Sequence, residues 1–151
     1  MSDEPEPGTG DPSSPAASKL VITSRLEAID EARRWASTQM VEHGLPESWV
    51  IELELALTEA LSNVMRHAYE GAEDQEIHLA LLVDERGVRL DIRDFGVTFD
   101  FESLGPVDLE NPQEGGYGVF MIESLVDDVA REPGRPRGNW LRLTKLRPAG
   151  D

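Results

Sequence analysis

Apolar positions recur at helical spacing in two stretches of the chain's first half. Leu26, Ile29, Ala32, Ala36 and Met40 predict a helix over 26–43, with Gly44 as its stop. Pro46 opens a second element. In the stretch 48–69, Leu53, Ala56, Leu57, Ala60, Leu61, Val64 and Ala68 fall on one face, and Gly71 ends it. Shorter apolar runs read as strands: LVITSR (20–25), then EIHLALLV (76–83) and VRLDIRD (88–94), which DERG joins as a β-hairpin. A long loop rich in Gly, Pro and Asp follows over about 96–116. GGYG (115–118) then opens a helix running to about 125, and two closing strands, about 126–132 and 139–146, are linked by PGRPRG. The order β-α-α-β-β-loop-α-β-β, with consecutive strands arriving as hairpins, predicts an α+β two-layer sandwich. Its sheet is mixed but mostly antiparallel, with helices on one face.

The first 18 residues depart from this pattern. They hold four prolines, four acids, no base and no large apolar residue beyond Met1. Such a segment buries too little surface to offset its ordering entropy, so a disordered acidic tail is expected over 1–18 and one folded domain over 19–147. The leader also lacks the apolar core of a secretion signal, and no apolar run approaches the roughly 20 residues of a spanning helix. A cytoplasmic protein is the expectation.

Charge and cysteine content narrow the chemistry. The 151 residues carry 30 acids against 14 bases, a formal net charge of −16. A phosphate-tracking basic surface is thereby disfavoured, and with it direct nucleic-acid or anionic-membrane binding, whereas a basic protein partner would be attracted. There is no cysteine, so disulfides, thiolate catalysis and cysteine zinc sites are excluded.

Three places could carry chemistry. On the second helix, Glu59 and Asn63 stand four residues apart and share a face bordering the apolar stripe, with Arg66 near the same meridian and His67 closer to the stripe. Each alone reads as part of a solvated helix face; together they place a carboxylate, an amide, a guanidinium and an imidazole at the edge of the helix–sheet interface. In VRLDIRDFG, Val88, Leu90 and Ile92 point one way and Arg89, Asp91 and Arg93 the other, and Asp94 shares the apolar parity. An inward carboxylate needs a donor. Either a turn at Gly96 or the amino group of a ligand supplies it. Third, GGYG before a helix is compatible with a simple turn or with a backbone cradle for phosphate, but it matches neither the P-loop nor the dinucleotide fingerprint.

The order of these features is the sharper signal. ELALTEALSNVMRHAYEG resembles the N box of the GHKL (Bergerat-fold) ATPases, DFG (94–96) followed by Phe99 resembles their G1 box, and GGYGVFMI resembles their G2 box. The RHAY ending, the D-x-G-x-x-F-D run (94–100), the closing GNWLRLTK (138–145) and the absence of a preceding dimerisation helix with a phosphoacceptor His resemble the anti-sigma-factor serine/threonine kinase branch. The resemblance covers about residues 20–147. It implies a protein serine/threonine kinase using ATP and Mg²⁺. Glu59 would be the catalytic residue that orients or deprotonates the attacking hydroxyl. Asn63 would hold Mg²⁺, Arg66 and His67 phosphate oxygens, and Asp94 the adenine amino group, with Gly96 leaving room for the purine. Gly115, Gly116 and Gly118 would wrap the triphosphate, and 98–114 would form a lid. Thr98, Tyr117 and Val119 stand at nucleotide-contacting positions; Thr98 replaces a frequent proline, and Tyr117 a smaller aliphatic residue.

The resemblance further implies partners: a STAS-type anti-sigma antagonist as phosphoacceptor, a sigma factor or other regulatory protein as the sequestered target, and a second copy in a homodimer. For that dimer Trp35, Trp49 and the first strand are candidates, with ordinary core packing as the competing account. An alternative function is a non-catalytic, nucleotide-gated module that sequesters a regulatory protein.

Overall fold

The computed structural model describes residues 17–99 and 122–147. The expected tail at 1–16, most of the lid and all of Gly115, Gly116, Tyr117, Gly118 and Val119 lie outside the described residues. Eight elements follow in order: β1 (Ser18–Thr23), α1 (Leu26–Glu42), α2 (Glu47–Asn63), a π-helical turn (Val64–Ala68), β2 (Glu76–Asp84), β3 (Gly87–Asp94), β4 (Asp128–Pro133) and β5 (Asn139–Leu146). A short helical turn at 122–125 precedes β4.

The strands form one sheet in the order β1-β2-β3-β5-β4, and every ladder is antiparallel. The helices cover one face, giving the expected two-layer α+β sandwich. Strand β1 begins at Ser18, inside the segment expected to be a tail. Ser18 pairs with Leu81, and its hydroxyl accepts a hydrogen bond from Trp35 Nε1 at 3.1 Å.

Period-2 alternation sorts the strand residues between the two faces. Ile77, Leu79 and Leu81 of β2, Val88, Leu90 and Ile92 of β3, and Leu141 and Leu143 of β5 are buried beneath the helices. From the helical side come Ile29, Ala32, Ala36 and Met40 of α1 and Val50, Leu53, Ala56, Leu57, Ala60 and Leu61 of α2, at the predicted 3–4-residue spacing. Truncating a core leucine such as Leu57, which is fully buried, to alanine costs about 2–5 kcal/mol. Helix α1 ends where expected: Gly44 adopts φ +73, and its N–H donates to Val41 O at 2.9 Å.

Two details position the site. The helix expected to run from 48 to 69 changes pitch after Asn63. The wider π turn keeps Val64, Met65 and Ala68 all buried, and Tyr69 N closes it by donating to Val64 O at 3.0 Å. On the sheet, the core-facing rows switch from apolar to polar at one end. Asp94 pairs with both Ile77 and Asn139 in register, so a carboxylate and an amide continue rows that are otherwise Val, Leu and Ile.

Candidate functional site

The polar end of the sheet and the end of α2 meet at the π turn, and hydrogen bonds clamp them together. Val97 N donates to Ala68 O at 2.7 Å. The Tyr69 hydroxyl donates to Glu76 O and accepts from Phe95 N at 2.8 Å. Gly96 lies so close that a Cβ there would stand 2.3 Å from Ala68 O and 2.8 Å from the Tyr69 ring. Glycine at this position is demanded by the backbone of the N-box segment itself. Thus the stretch carrying Glu59, Asn63, Arg66 and His67 and the stretch carrying Asp94, Gly96 and Thr98 are held as one unit.

On the helix side, Glu59 is half-buried one turn before Asn63. Asn63 is only 2% exposed. Its Oδ1 accepts from Arg66 Nη2 at 3.2 Å, while its Nδ2 is buried without a partner among the described residues. An orphaned buried donor costs about 1–3 kcal/mol, so this N–H is available to an acceptor that enters the site. His67 packs its ring 5.7 Å from that of Phe99. Burial, and secondarily the neighbouring Arg66 charge, lower its pKa and favour the neutral imidazole.

On the sheet side, Asp94 is fully buried. Gly96 N donates to its Oδ1 at 3.0 Å, and Asn139 Nδ2 reaches Oδ1 at 3.1 Å and Oδ2 at 3.2 Å. Burial pushes its pKa up, and the hydrogen bonds from Gly96 and Asn139 together with the Arg93 charge oppose that rise. The turn at Gly96 therefore supplies one of the donors that an inward carboxylate needs, and β5 supplies the other. Thr98 spends its hydroxyl on Gly138 O at 2.9 Å.

Four contributors were not singled out from sequence. Asn139 also donates to Val97 O at 2.9 Å and accepts from Phe99 N at 3.0 Å, so one amide holds both Asp94 and the strand that leaves it. Asn139 shares the parity of Leu141 and Leu143, and the same alternation that turns Asp94 inward identifies it. Tyr69 is the clamp described above. Arg93, assigned to the outer face by parity, curls over the sheet end. There it donates to the carbonyls of Asp94, Arg135, Arg137 and Asn139 and lies 4.2 Å above the Phe95 ring. Gly138, at φ +94, brings β5 so near Asp94 that a Cβ would stand 2.1 Å from its carbonyl oxygen. Trp35 and Trp49 are partly buried against the core, and Lys145 Nζ sits 5.2 Å over the Trp49 ring.

Among the described residues no group of three carboxylate or imidazole side chains is arranged to hold a metal ion. A divalent cation bound here would draw most of its ligands from phosphate and water, as Mg²⁺ commonly does. The Asn63 amide suits that arrangement, offering an oxygen to a cation and its unpartnered N–H to a phosphate oxygen. No helix among the described residues is long and apolar enough to cross a membrane.

Comparison with known proteins identifies the family. Residues 22–145 match the family model described as the histidine kinase-like ATPase domain. The chain is 38% identical over 118 residues to the serine-protein kinase RsbW of Listeria monocytogenes, covering 73% of this chain and 75% of that protein. It is 32% identical over 119 residues to the serine-protein kinase RsbW of Oceanobacillus iheyensis, covering 74% and 75%. Its fold resembles a crystal structure of the RsbU and RsbW domains of a Mycobacterium tuberculosis protein, with a TM-score of 0.58 at 24% identity over 87% of this chain, and it spans 34% of that longer chain. The chain therefore belongs to the histidine kinase-like ATPase domain family, alongside the serine-protein kinases named RsbW.

Proposed function

We propose that this protein is an ATP-dependent protein serine/threonine kinase that acts as an anti-sigma factor in a partner-switching system, and that it phosphorylates a STAS-type anti-sigma antagonist. The observation that carries the reading is the juxtaposition at the end of α2. A half-buried carboxylate, Glu59, stands one turn from a buried amide, Asn63, whose N–H₂ lacks a partner among the described residues, and the helix segment carrying both is clamped to the strand end carrying the fully buried Asp94. The similarity to RsbW kinases over most of the chain supports the choice of a protein hydroxyl as acceptor.

In this reading Asp94, whose pKa burial raises, accepts a hydrogen bond from the adenine amino group. Asn63 would hold Mg²⁺, which supplies charge neutralisation between the phosphates. Arg66 and neutral His67 donate to phosphate oxygens, and Gly115, Gly116 and Gly118 wrap the chain of phosphates, flanked by Tyr117 and Val119. Glu59 orients the acceptor hydroxyl and takes its proton as the new O–P bond forms and the bond to the β-phosphate oxygen breaks. Transfer of this kind rests on positioning and charge stabilisation, which these groups can provide. The proposal extends to a cytoplasmic homodimer that also binds a sigma factor or another regulatory protein.

Labelled ATP with a STAS-domain acceptor tests it. Wild type transfers label to a serine or threonine. Glu59→Gln retains ATP binding and loses at least about a hundredfold in transfer, the ordinary weight of a general base. Asn63→Ala loses the Mg²⁺ dependence of nucleotide binding. Tight partner binding without transfer would instead favour the nucleotide-gated sequestering module.

A further inference from the structure

The surface of α2 carries a pattern that the nucleotide site does not use. Ile51 is 49% exposed and Leu55 46%, four residues apart, and among the described residues they form the one exposed apolar pair stacked along a helix. The other exposed large apolar residues of the helices, Leu26 and Val41, stand at opposite ends of α1. Continuing by fours from Ile51 and Leu55 leads to Glu59. With about 1.5 Å rise per residue, the apolar pair lies roughly 6–12 Å along the axis from the carboxylate.

The flanks are acidic. At 100° per residue, Ser48, Ile51, Leu55, Thr58 and Ser62 share the outer meridian, Glu47 and Glu54 lie on one side, and Glu52 and Glu59 on the other. Glu52 is partly engaged by Lys145 at 3.4 Å. An apolar ridge between two acidic rows selects its occupant. A second copy of this chain would bring the same carboxylates against these in a molecule of net charge −16, and an anionic membrane would be repelled likewise. A protein segment with an apolar knob flanked by Lys or Arg is complementary.

We propose that the Ile51–Leu55 ridge of α2 is the docking surface for the phosphoacceptor protein. It grips an apolar, basic-rimmed patch of the acceptor within about three helical turns of the hydroxyl that meets Glu59. The inference rests on the kinase reading above and adds the surface and the chemistry by which the acceptor is recognised. Transfer demands that the hydroxyl be held against Glu59, and this ridge is the exposed face of the same rigid helix.

The test uses the full chain, labelled ATP and a STAS-domain protein as acceptor. Ile51→Asp with Leu55→Asp is expected to raise the KM for the acceptor at least about tenfold, as loss of an interface anchor does, with the Kd for ATP and the melting temperature unchanged. Glu54→Lys is expected to raise that KM about threefold and to weaken its salt dependence. If the double variant does not fold, Ile51→Ser with Leu55→Ser and Glu54→Lys carry the measurement. An unchanged acceptor KM overturns the surface while leaving the kinase reading intact. A changed Kd for ATP assigns the ridge to the nucleotide site, and a changed oligomeric state in sedimentation assigns it to a second copy; either also overturns the proposal. Absence of label from wild type overturns the kinase reading and the surface with it.

Discussion

Strand β3 buries two aspartates three residues apart, on opposite faces, and treats them in opposite ways. Asp91, on the outer face, is 5% exposed, and Arg142 grips it in bidentate fashion, Nε to Oδ1 at 2.7 Å and Nη2 to Oδ2 at 3.0 Å, with Trp140 Nε1 adding a bond at 3.0 Å. Asp94, on the helix face, is fully buried, and among the described residues its carboxylate receives hydrogen bonds from neutral donors, the Gly96 N–H and the Asn139 amide. The neighbouring Arg93 guanidinium is committed to backbone carbonyls. Asp91 has its counter-charge inside the chain and is a structural tie. The Asp94 carboxylate has no such ion pair among the described residues, and a ligand that brings a further donor improves its situation.

The largest effect that distinguishes the two is on nucleotide binding. Asp94→Asn removes the carboxylate acceptor while keeping shape and most hydrogen bonds. ATP affinity, read by calorimetry, is expected to fall about 100-fold, within the 1–3 kcal/mol attached to a lost buried hydrogen bond. Asp91→Asn is expected to leave ATP affinity within about twofold, since the Asp91 carboxylate is held by Arg142 and Trp140 on the face opposite Asp94. Equal losses in both variants would erase the contrast.

Next in size is stability, where the order reverses. Asp91→Asn removes the carboxylate that Arg142 grips in bidentate fashion. Full burial of such a pair would make the loss about 3–5 kcal/mol, but Arg142 keeps 31% of its side chain in solvent, so about 1–3 kcal/mol is expected in urea unfolding. Asp94→Asn is expected to be neutral or stabilising in the absence of nucleotide, because it removes a desolvated charge.

How much of this was legible in the chain follows from the same pair. Alternation alone turned Asp94 inward and Asp91 outward, and helical spacing placed Glu59 beside Asn63, because periods of 2 and 3.6 are properties of the backbone. The π turn was not legible. A uniform 100° wheel carries no sign that Val64–Ala68 widens, and that turn brings Arg66 onto Asn63 Oδ1. Arg93 misled for another reason: parity gives the direction of its Cβ, whereas the long side chain bends around the strand end to reach carbonyls some 42 and 44 residues away in sequence. Nor does periodicity reveal that Asp91 is buried on the open face, since the cover comes from Trp140 and Arg142 on a strand about 50 residues later. The Gly115–Val119 cradle rests on motif resemblance.

A smaller effect concerns the amide that holds Asp94. Asn139→Ala removes donors to both carboxylate oxygens and to Val97 O, and the acceptor for Phe99 N. About 1–2 kcal/mol of stability is expected to go, with a loss of about fivefold in ATP affinity, since Asp94 keeps its Gly96 bond but loses its lateral restraint.

The subtlest discriminator is pH. Burial raises the pKa of folded Asp94 above the ordinary carboxylate range of its unfolded form. A group shifted in that direction stabilises the fold fully below its unfolded pKa, and the contribution is lost as pH rises through the raised folded value. The melting temperature of wild type relative to Asp94→Asn is therefore expected to fall as pH climbs from about 4 toward neutrality and to level off above the folded pKa. ATP acts with the opposite sign, because the adenine amino group needs the ionised carboxylate as acceptor. Binding in that window should release a proton, visible as a calorimetric enthalpy that varies with the ionisation heat of the buffer. A flat melting difference and a buffer-independent enthalpy would mean that the Asp94 carboxylate is satisfied without nucleotide, and the two aspartates would no longer differ in kind.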